Sequence, residues 1–344
     1  VTASRVNPEP LVDLGSSAGR VAELGYLGVT FFFALSGFVL TWSASGSRLA
    51  PVAFFRRRFA RVYPLHLVTA LVAGLAGVVY GVAAGPGTWA AVLLLVQAWV
   101  PDRDVFFGLN GVSWSLSCEA FFYAVTPLLL LAAARRTSRA VWAGVALAAG
   151  VVLAASLLAV SADQDLDLAV WVSPWYSVVA FGAGMALALT LRRGVSRWPS
   201  LPVATGVLLA SVGLVVVGSW DAEWPRSLAT FAVLPAILLV LGAAARQDLA
   251  GRRSWASRRP VVRLGEWSFA LYLVHPLVMH AVRRLGRLPV LEGPVAGLGL
   301  VAFVVLATGA AAVAYVVVER PAERWLRGSR RAESPEVERA GRTG

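Results

Sequence analysis

The sequence predicts an all-α fold: a polytopic transmembrane helical bundle of about nine to ten spans. Three observations carry this prediction. The 344 residues are 58% apolar and only 15% charged, with a mean hydropathy of +0.70, whereas soluble domains carry about 25% charged residues. The apolar residues recur in blocks of roughly 20, the length that crosses a bilayer as a helix. Arginines gather at the ends of those blocks. A water-soluble globule is excluded, and so is disorder, which needs the opposite bias. The bundle uses nearly all the length, so no second sizeable soluble domain fits.

The apolar blocks are 26–44, 62–84, 116–134, 139–160, 168–191, 201–218, 227–245, 267–282 and 296–318. A shorter run, 88–100, is ambiguous by length alone. Charge decides it. The net charge is +12 and all 31 basic residues are arginine. Such an excess can mark a nucleic-acid partner, but here it tracks span ends, so topology is the reading and no nucleic acid is implied. The clusters are Arg56, Arg57, Arg58 and Arg61; Arg135, Arg136 and Arg139; Arg192, Arg193 and Arg197; Arg246 to Arg263; and Arg320 to Arg331. If 88–100 does not cross, all five lie in the cytoplasm, as the positive-inside rule requires. The acidic stretches Asp163–Asp167 and Asp221–Glu223 then face outside, with Arg283, Arg284 and Arg287 the one exception. Nine crossings follow. The domain plan is a polar extracytoplasmic segment, 1–25, a transmembrane domain, 26–326, and a disordered cytoplasmic tail, 327–344. No signal peptide opens the chain, so an outside N-terminus leads us to expect a further span upstream of Val1. No inverted repeat of the transporter kind is visible. The composition looks like that of a high-GC bacterial genome, and with the apolar spans the expected location is the bacterial cytoplasmic membrane. Cys118 is the only cysteine, so neither an intrachain disulfide nor a cysteine-based metal site can form, and no metal is assigned.

Polar residues inside spans are costly and face a cavity or the bundle interior. Four stretches carry them. In Phe55–Pro64, Arg58 and Arg61 are three apart and share a helix face at the inner boundary, with Pro64 expected in the first turn of its helix. Paired guanidinium forks suit phosphates or a carboxylate. Arg56 and Arg57 read as positive-inside anchors, and the pair Arg58 and Arg61 as either anchors or a binding element. In Asn110–Tyr123, Ser115, Glu119 and Tyr123 align at i, i+4 and i+8. Glu119 falls near the outer end of its span and needs a partner; an interhelical hydrogen bond is the alternative to a functional carboxylate. In Gly265–Pro276, Ser268, Tyr272 and His275 share a face, with Pro276 kinking the helix beside His275. That histidine is a candidate catalyst or a packing residue, and His280 is one turn further out. In Phe31–Phe38, Ser36 and Gly37 allow close helix approach.

Together these stretches resemble the acyltransferase-3 family of integral membrane acyltransferases. The shared blocks, in family order, are Phe32-Phe33-Ala34-Leu35-Ser36-Gly37-Phe38; Arg58-Phe59-Ala60-Arg61 with Pro64; Trp114 to Glu119 with Phe122-Tyr123; Ser268 to Pro276; and Val318-Glu319-Arg320-Pro321. The resemblance implies transfer of an acyl group from a cytoplasmic donor, commonly acyl-CoA, onto hydroxyls of saccharides, cell-envelope polymers or secondary metabolites. It implies no permanently bound cofactor. Two departures stand out. The family's first span carries an arginine and, about eleven residues later, a histidine thought to be catalytic; here no histidine precedes His66, so the resemblance assigns the base to sequence upstream of Val1. A family Pro-x-x-Arg-x-x-Glu-Phe segment reads Pro174 to Phe181, with Ser177 and Ala180 in place of its charged pair. The esterase-like domain fused to some members is absent from this sequence.

Acyl transfer to a hydroxyl needs a base, oxyanion stabilisation and a grip on the donor. On this reading Arg58 and Arg61 bind phosphate or pantetheine parts of the donor from the inner side. Glu119 orients a base or binds the acceptor hydroxyl from the outer side, with Tyr123 and His275 as further catalytic candidates. Ser115, Ser268 and Tyr272 supply acceptor or packing hydrogen bonds. Two other classes stay open. A transporter or flippase of a lipid-linked saccharide would use the same arginines and carboxylate with no acyl donor. A glycosyltransferase would use Asp102-Arg103-Asp104 or Asp163-Gln164-Asp165 as a metal-binding pair.

Overall fold

The computed structural model describes residues 24–44, 51–194, 198–218, 225–252, 255–286 and 293–327. Residues 1–23 of the expected polar segment, the acidic stretch 221–223, the tail from 328 onward, and Arg197, Arg253 and Arg287 lie outside the described residues.

The described chain is helical and contains no strand. In order, the helices are α1 Leu27–Ala44, α2 Pro51–Val79, α3 Pro86–Leu93, α4 Arg103–Phe106, α5 Trp114–Ala134, α6 Ser138–Ala162, α7 Gln164–Val172, α8 Pro174–Arg192, α9 Leu201–Gly218, α10 Arg226–Leu249, α11 Arg259–Gly286, α12 Gly293–Ala314 and α13 Arg320–Arg327. A π-helical segment, Tyr315–Glu319, joins the last two. Among the described residues eight helices are long and apolar enough to cross a membrane. The expected ninth span, 267–282, lies within α11. That helix rises about 42 Å over its 28 residues, long enough to cross, but Ser268, Tyr272, His275 and His280 interrupt its apolar character.

Two boundaries differ from the sequence reading, and the ambiguous run 88–100 folds short of a span. The second span starts at Pro51, not residue 62, so Pro64 lies inside α2 rather than in its first turn. Pro51 suits the first position of a helix, where its missing N–H costs nothing, and the Phe, Ala and Arg run that follows continues the helix readily. All four arginines of the first cluster therefore sit on α2. The expected span 168–191 is broken at Ser173, which is extended (ψ 144°) before Pro174, as the residue preceding proline prefers. Ser173 also caps α8 by accepting from the Tyr176 amide. The run 88–100 folds as α3, a turn at Leu95 (φ 57°) and a 3-10 turn at Gln97–Trp99. Eight residues of helix rise about 12 Å, too short to span. Polar side chains fasten this segment: Tyr63 Oη donates to the Leu93 carbonyl at 3.1 Å, His66 Nε2 lies 3.0 Å from the Val92 carbonyl, and Gln97 Nε2 donates to the Ser113 carbonyl at 2.9 Å.

The core of the bundle is the crossing of α1 with α8. A side chain added at Gly37 would strike the Phe181 carbonyl, and one added at Gly184 would strike the Ala34 carbonyl. Each helix thus supplies a glycine where the other's backbone comes closest, the packing that small residues permit in membranes. Around the crossing, Phe33 meets Phe122 edge-on at 5.1 Å and Phe122 stacks on Phe181 at 4.6 Å, which binds α5 to both helices. Where α8 and α10 begin, Ser227 donates to Asp167, and the Tyr176 hydroxyl donates to the Ser227 carbonyl at 2.6 Å. This joins α7, α8 and α10. Burial pushes the Asp167 carboxyl above the ordinary aspartate range, against the pull of its Ser227 hydrogen bonds.

Gly184→Val should lower the yield of folded protein and its thermal stability, by about 1–3 kcal/mol or more through overpacking. Gly206→Val on α9, where nothing lies within 4 Å, should leave both nearly unchanged. Equal losses at the two sites would remove the glycine contact from the account. For topology, buried Cys118 gives little background. A membrane-impermeant maleimide should label Ser161→Cys from outside the cell and Arg139→Cys only after permeabilisation; the reverse pattern would invert the orientation.

Candidate active site

One cluster of charged groups forms inside the bundle. Its cations come from α2, and its carboxylates from α5, the π segment and α13. The spacing of three places Arg58 and Arg61 on one face of α2. The spacing of four places Glu119 and Tyr123 on one face of α5.

Glu119 is buried, at 4% exposure. The Tyr123 hydroxyl donates to its Oε1, and its Oε2 is buried with no hydrogen-bond partner among the described residues. Arg58 lies over two rings, its Cζ 5.7 Å from the Phe54 centroid and 5.9 Å from that of Tyr123. Rings at this distance attract a guanidinium through their quadrupoles. No carboxylate pairs with Arg58 among the described residues, and its buried Nε has no hydrogen-bond partner there. Arg61 is held otherwise. Its Nη1 lies 3.4 Å from Glu319 and 3.2 Å from Glu323. Both guanidinium groups act electrostatically on Glu119.

Arg58 and Glu119 are brought near each other by Tyr123, which meets both. Tyr123, which meets Arg58, lies about 16 Å from the Ala134 end of a helix about 31 Å long. The cations reach the middle of α5 because α2 begins well before its apolar run and carries them inward. Arg56 and Arg57 are exposed.

The remaining candidates divide. Ser115 Oγ lies 2.9 Å from the Tyr272 hydroxyl, which donates to the Val112 carbonyl at 2.8 Å. With Asn110 Nδ2 donating to the Leu273 carbonyl at 2.9 Å, these bonds tie α11 to the start of α5, one turn from Glu119. Ser268 is not brought in: it is exposed and donates to Gly265 of its own turn at 2.8 Å. His275 stays on its own helix as well, with Nδ1 3.1 Å from the Leu271 carbonyl and its ring 6.1 Å from that of Tyr272. No contact joins His275 to Glu119, Arg58 or Arg61 among the described residues. Glu319 belongs to the closing motif and Glu323 lies just beyond it, and the sequence alone gives neither a role. The signal for both is the arginine pair itself, since a cation inside a span calls for a partner elsewhere in the bundle.

The two Asp-x-Asp stretches have structural occupations. Asp102 accepts from the Asp104 amide at 2.9 Å and caps α4, and Asp165 pairs with Arg103 at 3.5 Å. A cavity of about 480 Å³ lies between the start of α9 and the end of α10, lined by Trp198, Arg246 and Arg252 among others; none of its lining residues belongs to the cluster.

Comparison with known proteins gives a consistent picture. A family model described as an acyltransferase domain matches residues 6–319. The chain is 37% identical over 341 residues to "Acyltransferase MdmB" of Streptomyces mycarofaciens, covering 92% of this chain and 86% of that protein. It is 28% identical to "Exopolysaccharide production protein ExoZ" of Rhizobium meliloti, covering 93% and 96% respectively. It is also 28% identical to "Nodulation protein 10" of Rhizobium leguminosarum bv. viciae, over 75% of this chain and 73% of that one. No solved structure matches.

The two arginines should differ in what their loss does to the fold. Arg61→Ala leaves Glu319 buried without its cation and should cost about 3–5 kcal/mol of stability. Arg58→Ala breaks no ion pair and should leave the melting temperature within a few degrees of wild type. Thermal denaturation in detergent checks both; equal destabilisation would show that Arg58 is also a structural counter-ion.

Proposed function

The chain belongs to the acyltransferase-3 family, and on that premise we propose that it transfers an acyl group from acyl-CoA to a hydroxyl of a saccharide, cell-envelope polymer or secondary metabolite. It is a multi-pass membrane enzyme, and we place it in the bacterial cytoplasmic membrane. The family model and the first relative both carry acyl transfer in their descriptions and neither carries transport, so the transporter reading has no support. The description of the exopolysaccharide production protein favours a saccharide among the acceptors.

The observation that carries the mechanism is the buried carboxylate with one oxygen taken and one open, beside an arginine with no carboxylate partner. The open Oε2 of Glu119 accepts a hydrogen bond from the acceptor hydroxyl and draws its proton away as the oxygen attacks. Tyr123 holds the other oxygen and so aims the carboxylate. Arg58 and Arg61 receive the anionic donor. Arg58 lies near enough to Tyr123 to face the thioester carbonyl, where negative charge develops on oxygen. A fixed cation in a site of low dielectric stabilises that oxyanion strongly. The ester C–O bond forms, the thioester C–S bond breaks, and the hydroxyl proton ends on the departing thiol. Ser115 and Tyr272 act one turn away, by holding α11 against α5. Ser268 and His275 make no contact with this arrangement, and no step is given to them.

Membranes containing the chain, supplied with a radiolabelled acyl-CoA, should pass label to a base-labile ester product. Label recovered only as free acid would count against transfer to a hydroxyl. Glu119→Gln keeps the shape and removes the charge, and should cut transfer about a hundredfold or more with expression intact. Wild-type turnover in that variant would take Glu119 out of the site.

A further inference from the structure

The closing motif Val318-Glu319-Arg320-Pro321 has no part in the reaction above, yet it contains a carboxylate that is only 1% exposed. Glu319 ends the π segment, and Glu323 follows on α13. Residues four apart share a helix face, and here both carboxylates reach the same nitrogen of Arg61. Their surroundings differ. The Glu319 side chain has no access to water, whereas that of Glu323 is 17% exposed and that of Arg61 is 37% exposed. Arg61 already carries two carboxylates on one nitrogen. An anionic donor cannot settle there without a carboxylate giving way, because like charges in a poorly solvated site repel strongly. Of the two carboxylates on Arg61, Glu323 alone reaches the protein surface.

We propose that Glu319 is a positioning residue that holds Arg61 on the donor side of the site, and that Glu323 is the exchangeable partner which the incoming anionic donor displaces. This rests on the reading that the donor is received at Arg58 and Arg61. The C-terminal helix α13 then acts as a latch on α2. Arg61 is paired with Glu323 while the site is empty, and its charge turns to the donor when the site is filled. Glu319 keeps the guanidinium from following Glu323 toward water.

The two carboxylates consequently have opposite effects on donor binding. The test is the dissociation constant of acetyl-coenzyme A for the purified full chain in nanodiscs, with Glu323→Gln, Glu319→Gln and Arg58→Ala. Glu323→Gln removes the competitor and should tighten binding about fivefold, the scale of a partly exposed ion pair. Glu319→Gln should weaken it about tenfold, the scale of a buried charge-assisted contact. A loosened fold does not tighten binding, so the sign in Glu323→Gln tests the proposal even if Glu319→Gln fails to fold. Unchanged or weaker binding in Glu323→Gln overturns the latch. Tightening in both variants makes Glu319 a second competitor and overturns its positioning role. Arg58→Ala separates the two levels. If it leaves the dissociation constant unchanged, the donor reading itself is wrong. If it weakens binding while Glu323→Gln does not tighten it, only the latch is lost.

Discussion

Two arginines on one face of a membrane helix must have their charges met inside the protein, because hydrocarbon offers neither water nor counter-ion. In this chain each is met differently, and much of the site follows. Arg61 draws the two carboxylates of the C-terminal segment onto α2. Arg58 settles between the Phe54 and Tyr123 rings, which brings α2 to the middle of α5. The Tyr123 hydroxyl, fixed there, takes one oxygen of Glu119. A chain of charge satisfaction thus runs across three segments and ends on one unsatisfied carboxylate oxygen. An unpaired buried acceptor costs about 1–3 kcal/mol, and a site that must accept a hydroxyl has reason to bear that cost.

The rest of the bundle makes the arrangement rigid. The glycine contact between α1 and α8 places two backbones nearly in touch, and the Phe33, Phe122 and Phe181 rings carry that contact to α5 next to Tyr123. On the other side, Ser115, Tyr272 and Asn110 pin α11 to the start of α5. Glu119 therefore stands on a helix held from both flanks. Catalytic electrostatics depend on groups that need not reorganise as charge develops, and groups borne by packed helices satisfy that better than groups on loops.

Several polar residues inside the bundle are fasteners. His66 and Tyr63 project from α2 just past the arginines and bond carbonyls of the short α3 segment. Gln97 does the same for the start of α5. Non-helical backbone at membrane depth survives only where protein satisfies its polar groups, and these side chains do so for the stretch that folds back instead of crossing. His275 bonds its own helix beside Pro276. Its residue type suited catalysis, but its position in the turn decided its partner.

The sequence by itself determined the all-α membrane bundle, because apolar blocks of span length allow little else. The ordered motifs pointed to the family, and helical spacing paired Arg58 with Arg61 and Glu119 with Tyr123. Those are local properties, set by a 3.6-residue period and by composition. The meeting of those pairs was decided only by the tertiary structure. So were the splitting of the span at Ser173–Pro174, the interior place of Pro64, and the exclusion of Ser268 and His275 from the cluster. Glu319 and Arg61 are 258 residues apart in the chain, and no periodicity spans that separation. Hydropathy records that a buried charge needs a partner; only the packing of helices from opposite ends of the chain decides which partner it receives.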